Sequence, residues 1–165
     1  MRDFRYYAPT RVVFGKKTEE RVAELIREFG GKKILIHYGG GSIVRSGLLE
    51  RVCKILDEAG ISYLTLGGAV PNPRLSLVYE GIERCKKEKV DFILAIGGGS
   101  AIDSAKAIGY GVANGGDVWD FYDRKRKVAG CLKVGVILTI AATGSEMSDS
   151  SVITKEEGWI KRGCN

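Results

Sequence analysis

The chain has 165 residues, 44% of them hydrophobic and 28% charged, with a formal net charge of +6 at pH 7. That is enough for one domain with its own core, in the composition of an ordinary globular protein. No apolar run approaches the roughly 20 residues of a transmembrane helix, and the polar N-terminus lacks a signal-peptide core.

Cys53, Cys85, Cys131 and Cys164 are scattered, with no C-x-x-C pair and no metal-like clustering. They read as ordinary thiols, and a reducing, cytoplasmic setting is expected. The positive charge is spread along the chain. Its one dense run, Arg124-Lys125-Arg126-Lys127, has no aromatic ladder around it and reads as a solvated loop rather than a nucleic-acid surface. An anionic small ligand would suit the same balance.

Phe4 to Phe14 mixes aromatic and β-branched residues around Pro9, which predicts an edge hairpin. Thr18 is placed to cap a helix whose apolar stripe is Val22, Leu25, Ile26 and Phe29, ended by Gly30-Gly31. Ile34 to Tyr38 predicts a buried strand closed by Gly39-Gly40-Gly41-Ser42, with a helix from about Ser46 to Ala59 behind it. Ile61 to Leu66 is a second strand, leading to Gly67-Gly68 and Pro71-Asn72-Pro73. An amphipathic helix follows over about Arg74 to Lys89.

Phe92 to Ile96 is an apolar run of the kind buried on both faces of a parallel sheet. Gly97-Gly98-Gly99 then removes every Cβ, and Ser100 is placed to cap a helix reaching about Val112, with Asp103 in its first turn. A glycine turn between a buried strand and a helix N-terminus gathers amide donors and the positive end of the helix dipole, a setting for phosphate. The run is neither G-x-G-x-x-G nor a Walker A loop. Trp119-Asp120-Phe121 reads as a packed aromatic loop, Val134 to Thr139 as a fourth strand, and Ser151 to Thr154 as one more short strand. Glu157 to Asn165 shows no strand pattern.

Strands alternating with helices predict an α/β fold with a doubly wound parallel sheet, whose ligands sit beyond the carboxyl ends of the strands. Small or hydroxyl residues recur at those ends: 39–42, 67–68, 97–100 and 139–145. Four strand ends stripped of bulk predict a crevice for an extended ligand.

Taken together, Pro9 to Gly15, Tyr38 to Ser42, Pro71-Asn72-Pro73, Gly97 to Lys106 and Leu138 to Met147 resemble the iron-containing (group III) alcohol dehydrogenases, in their butanol-dehydrogenase-like branch. The resemblance covers nearly the whole chain. It implies a Rossmann-like domain of the dehydroquinate-synthase-like N-terminal type, followed in the family by a helical domain that holds the metal. Residues 1–165 then correspond to the NAD(P)-binding domain alone, as in a truncated gene product, a split gene or an isolated domain. By the family pattern Gly97, Gly98, Gly99 and Ser100 hold the pyrophosphate with Asp103 nearby, and Thr139 and Thr143 touch the cofactor on its adenine and pyrophosphate side. Ser148, Ser150, Val152 and Lys161 align with positions lining the nicotinamide and its ribose.

Many relatives carry an Asp near Gly39 that accepts from the 2′-hydroxyl of NAD. Here the stretch is glycine and serine, Gly40 and Ser42 resemble 2′-phosphate contacts, and NADP is expected over NAD. The family's iron or zinc ligands, an Asp and three His, find no counterpart here, since the single histidine, His37, falls inside a predicted strand and reads as a packed residue. The resemblance further implies short primary alcohols and their aldehydes as substrates, and a homodimer formed through the hairpin. Two other readings are a dinucleotide-binding module without catalysis, and a relative with lyase chemistry like the dehydroquinate synthases. The Ala141 to Glu146 segment and the opening hairpin speak for the dehydrogenase branch.

Overall fold

The structure is a computed structural model that describes Asp3 and residues 7–165. Residues 4–6, the first arm of the expected hairpin, lie outside the described residues, and Tyr7 to Phe14 carry no assigned strand.

Strands β1 (Lys33–Tyr38), β2 (Ser62–Leu66), β3 (Phe92–Gly97) and β4 (Lys133–Leu138) form a parallel sheet in the order β2-β1-β3-β4. Pairing is in continuous register, from Ile34 opposite Phe92 to Tyr38 opposite Ile96, and from Phe92 opposite Lys133 to Gly97 opposite Leu138. Helices α1 (Val22–Glu28), α2 (Gly41–Arg45) and α3 (Leu48–Glu58) cover one face, packing Ile26, Val52 and Leu56 against Ile34, Ile36, Phe92, Leu94 and Ile96. Helices α4 (Leu75–Glu88) and α5 (Gly99–Asn114) cover the other, against Leu35, Ile93 and Ala95. Period-2 side chains therefore feed two cores, and β3 is buried along its whole length. Each fully buried Ile or Leu contributes about 1.5–3 kcal/mol.

The two helices of the second face interlock. Gly81 on α4 receives Ile108 of α5, whose Cγ1 lies 2.7 Å from where a Cβ at Gly81 would stand. Gly111 on α5 receives Ile82 of α4 in the same way, again with Cγ1 at 2.7 Å. Ile108 is fully buried and has nowhere to retreat. Gly81→Ala is therefore expected to destabilise the chain by about 1–3 kcal/mol through overpacking, read as a lower urea midpoint at unchanged slope.

Several elements differ from the sequence expectation. The helix expected from Ser46 begins at Leu48, because Gly47 at φ +69° breaks it from the short α2. Thr18 does not cap: Lys17 occupies the cap position and the first turn is a 3-10 helix, Thr18–Arg21. Trp119–Tyr122 is one helical turn, α6, with Trp119 stacked on Tyr122 at 5.5 Å between centroids. The largest correction is at the end of the chain. Glu157 to Asn165 does contain a strand, β6 (Ile160–Cys164), paired antiparallel with β5 (Ser151–Lys155). The turn is made by Gly158 (φ +76°) and Trp159 (φ +51°), and β6 buries only Cys164, so it shows no apolar alternation. The hairpin is fastened to the turn before α4. Thr154 N donates to Pro73 O at 2.8 Å, and the Arg74 guanidinium lies 4.6 Å from the Trp159 ring centre.

A candidate nucleotide-binding cleft at the strand ends

The chain leaves β1 towards α2 and α3 on one face of the sheet, and leaves β3 towards α5 on the other. The ends of these adjacent strands therefore part at the topological switch point, where doubly wound sheets bind ligands. A cleft of about 290 Å³ opens there. Its walls come from all four strand-end segments: Gly39 and Ser42, Ala69 to Pro71, Gly97 to Ala101, and Thr139 with Ile140.

Each wall is thin for a local reason. Gly97 turns the chain from β3 into α5 at φ +153°, and a Cβ there would stand 3.0 Å from Ala101 Cβ. A Cβ at Gly98 would stand 2.7 Å from Ile140 Cγ2. Gly67 lies under the Tyr38 ring, with Cε2 2.8 Å from its would-be Cβ, so the β2 loop can run beside the end of β1. There Ala69 N donates to Tyr38 O at 3.2 Å.

The Ser100 cap does not form. Gly98 holds the N-cap position of the 16-residue α5, and no side chain among the described residues caps it. The amides of Gly99 and Ser100 have no carbonyl to reach within the helix. They stand at the cleft wall with the positive end of the helix dipole behind them.

Asp103 departs from its expected place. It lies beyond the first turn of α5, and its carboxylate faces the 145–152 segment rather than the glycine turn. Oδ1 accepts from Ser145 Oγ at 2.6 Å and Oδ2 from Val152 N at 3.1 Å. Thr143 comes to the glycine turn, its Oγ1 3.7 Å from where a Cβ at Gly99 would stand. Gly40 is exposed at the start of α2, next to the cleft residue Gly39. Ser148 and Ser150 hydrogen-bond each other at 3.1 Å. Lys161 does not line the cleft; its Nζ donates to Asn72 Oδ1 at 2.7 Å, beside the Pro71–Pro73 turn.

Sequence reasoning did not single out Lys106. Its side chain is buried behind Ser145, where burial pushes the ammonium pKa down and Asp103 pushes it up. It appeared only as the last residue of the Gly97 to Lys106 motif, and its partners lie 39 and more residues away. His37 is a packed residue, as expected. Because a carbonyl only accepts, Nδ1–H donates to Leu66 O at 2.9 Å, and Nε2 accepts from Ser104 Oγ at 2.9 Å. Burial pushes its pKa down to about 4. Among the described residues no group of three or more His, Cys, Asp or Glu could hold a metal ion. Nor is any helix among them long and apolar enough to cross a membrane.

The fold and cleft place the chain among doubly wound α/β proteins with a ligand crevice at the switch point. Within that class, the iron-containing alcohol dehydrogenase family model matches residues 9–165, and the chain belongs to that family. It is 46% identical over 163 residues to the probable NADH-dependent butanol dehydrogenase 1 of Bacillus subtilis, covering 99% of this chain and 42% of that protein. It is 34% identical over 160 residues to the NADPH-dependent aldehyde reductase YqhD of Escherichia coli, covering 94% of this chain and 40% of that protein. The crystal structure of NADH-dependent butanol dehydrogenase A from Thermotoga maritima matches with a TM-score of 0.97 at 42% identity, over all of this chain and 42% of that one. The chain thus spans about two fifths of the length of the curated relatives it matches.

Proposed function

We propose that residues 1–165 are the nucleotide-binding half of an NAD(P)-dependent alcohol dehydrogenase that interconverts primary alcohols and aldehydes. The observation that carries this is the uncapped N-terminus of α5, opening into a cleft walled by the segments that follow all four parallel strands. These residues fit a dinucleotide. The diphosphate is assigned to the amides of Gly97 to Ser100, with Thr139 at the wall and Thr143 above Gly99. Ser148, Ser150, Val152 and Lys161 are assigned to the nicotinamide and its ribose. The nicotinamide, when bound, supplies the hydride chemistry. This chain's residues bind and orient it. Iron or zinc is expected with the relatives' remaining length. A cytoplasmic setting and pairing of two copies belong to the same proposal.

Similar proteins are named for both NADH and NADPH, so the cofactor choice rests on local chemistry. Gly39 to Ser42 present no carboxylate, Ser42 offers a hydroxyl, and the Arg45 guanidinium lies over Gly41. We therefore assign NADP(H), with NAD(H) as the weaker ligand. Nothing lies within 4 Å of where a Cβ at Gly40 would stand, so Gly40→Asp fits the fold. It is expected to weaken NADPH on the order of tenfold by like-charge repulsion and to leave NADH nearly unchanged.

Fluorescence titration of the chain with both cofactors tests the reading. Failure to bind either overturns it, and a clear preference for NADH overturns the 2′-phosphate assignment. Oxidation of butan-1-ol with added iron or zinc separates an enzyme from a binding module: turnover supports the first, binding without turnover the second.

A further inference from the structure

Asp103 and Lys106 stand three residues apart on α5, so they share one side of the helix. That side faces the 145–152 segment. Lys106 Nζ donates to Ser145 O at 2.5 Å, Ser150 O at 2.8 Å and Ser145 Oγ at 3.0 Å, with Ser148 Oγ at 3.4 Å. An ammonium has three donors, and here every acceptor comes from one short segment. Asp103 is committed to the same segment through Ser145 Oγ and Val152 N. Its main-chain oxygen also accepts from Ser151 Oγ at 2.8 Å.

Besides these contacts the segment is held by the Tyr110 hydroxyl, also on α5, which donates to Asp149 O. Apart from the single turn Ser145–Met147 it has no helix or strand before β5, and 147–150 are exposed. Lys106, by contrast, is only 7% exposed. Burying a cation among neutral acceptors is costly. Packing alone would be served as well by an apolar side chain of the same length. The arrangement is therefore a device for placing that segment.

We propose that Asp103 and Lys106 are positioning residues that set the nicotinamide-side segment at a fixed distance from the diphosphate niche. The inference rests on the dinucleotide reading above and deepens it. The N-terminus of α5 meets the diphosphate, and two side chains one to two turns further along the same helix hold Ser148, Ser150 and Val152. Neither Asp103 nor Lys106 touches the cofactor. This gives Asp103 a different task from the cofactor binding that the family pattern implies for it near the pyrophosphate.

Lys106→Met in the 165-residue chain tests the proposal by comparing NADPH with 2′-phospho-ADP-ribose, which lacks the nicotinamide. The expected result is a roughly tenfold loss of NADPH affinity with less than about a twofold change for 2′-phospho-ADP-ribose. The enhancement of nicotinamide fluorescence on binding should shrink at saturation as well. Ser145→Ala keeps the ammonium and removes one hydroxyl, and should give the same pattern at about threefold. It carries the test if Lys106→Met does not fold.

Equal losses for both ligands would mean a merely structural role and overturn the proposal, as would no loss for either. Wild-type chain that binds 2′-phospho-ADP-ribose as tightly as NADPH also overturns it, since the nicotinamide would then go ungripped. Wild-type chain that binds neither overturns the dinucleotide reading itself and this proposal with it.

Discussion

Gly99→Ala is expected to leave the fold as stable as before, or slightly more so, while cofactor affinity falls at least about tenfold. Gly99 is the first residue of α5 and has no positive φ, so alanine adopts its backbone without strain. The new Cβ would meet only Thr143 Oγ1, at an ordinary 3.7 Å. Replacing glycine in a helix gains about 0.5–1 kcal/mol, chiefly by narrowing the unfolded ensemble. The same methyl stands between the amides of the glycine turn and Thr143, in a cleft of only about 290 Å³. Phosphate oxygens need hydrogen-bond approach to those amides, near 2.9 Å, and a methyl group prevents it.

Opposite signs for stability and affinity separate a binding role from a folding role. Urea unfolding gives the first, and titration with NADPH gives the second. Unchanged affinity in a folded Gly99→Ala chain would remove the diphosphate from this turn. Gly98→Ala should cost more affinity, since its Cβ would stand 2.7 Å from Ile140 Cγ2 and push that side chain from its place at the wall.

Acid should weaken the fold through His37. In the unfolded chain its imidazole titrates near 6.5, and in the folded chain burial pushes it down to about 4. Between those values the unfolded state binds the extra proton and the folded state does not, so lowering the pH favours unfolding. The contribution is fully present above about pH 6.5 and is lost as the pH falls through 4. At about 1.4 kcal/mol per pH unit the whole span amounts to about 3 kcal/mol. Exposed carboxylates add their own slope in acid, so the informative quantity is the difference from His37→Gln. That variant keeps a donor for Leu66 O and an acceptor for Ser104 Oγ but does not titrate. Urea midpoints at pH 7, 5.5 and 4.5 should diverge between the two proteins as the pH drops. Parallel curves would show that His37 is not held neutral.

Much of the sheet was legible in the residues. The apolar runs at Ile34 to Tyr38 and Phe92 to Ile96 read as buried strands because both faces are covered, and the structure places them side by side. The glycine runs marked the strand ends, and the motif pieces carried the family, which the match over residues 9–165 shows. What failed to show has common causes. β6 is exposed on most of its length, so its strand character comes from pairing with β5 and not from any apolar period. Ser100 looked like a cap because caps are read from residue type, whereas the flanking glycines moved the helix start to Gly99. Lys106 and Ser145 carried no local signal, since their meaning lies in contacts that the chain makes only once folded.

The reciprocal notches between α4 and α5 bear on how a ligand gets in. With Ile108 lodged at Gly81 and Ile82 at Gly111, those helices cannot slide past each other. The turns in front of them, at Pro71–Pro73 and Gly97–Gly99, are then carried as one stiff jaw. Breathing of the crevice is left to the opposite lip, the run from Thr139 to Gly144, which is mostly exposed and has no helix or strand, ahead of the residues that Asp103, Lys106 and Tyr110 hold in place. Admission and release of the ligand should therefore keep time with that lip, and slow hydrogen exchange on α4 and α5 should persist while its amides exchange fast.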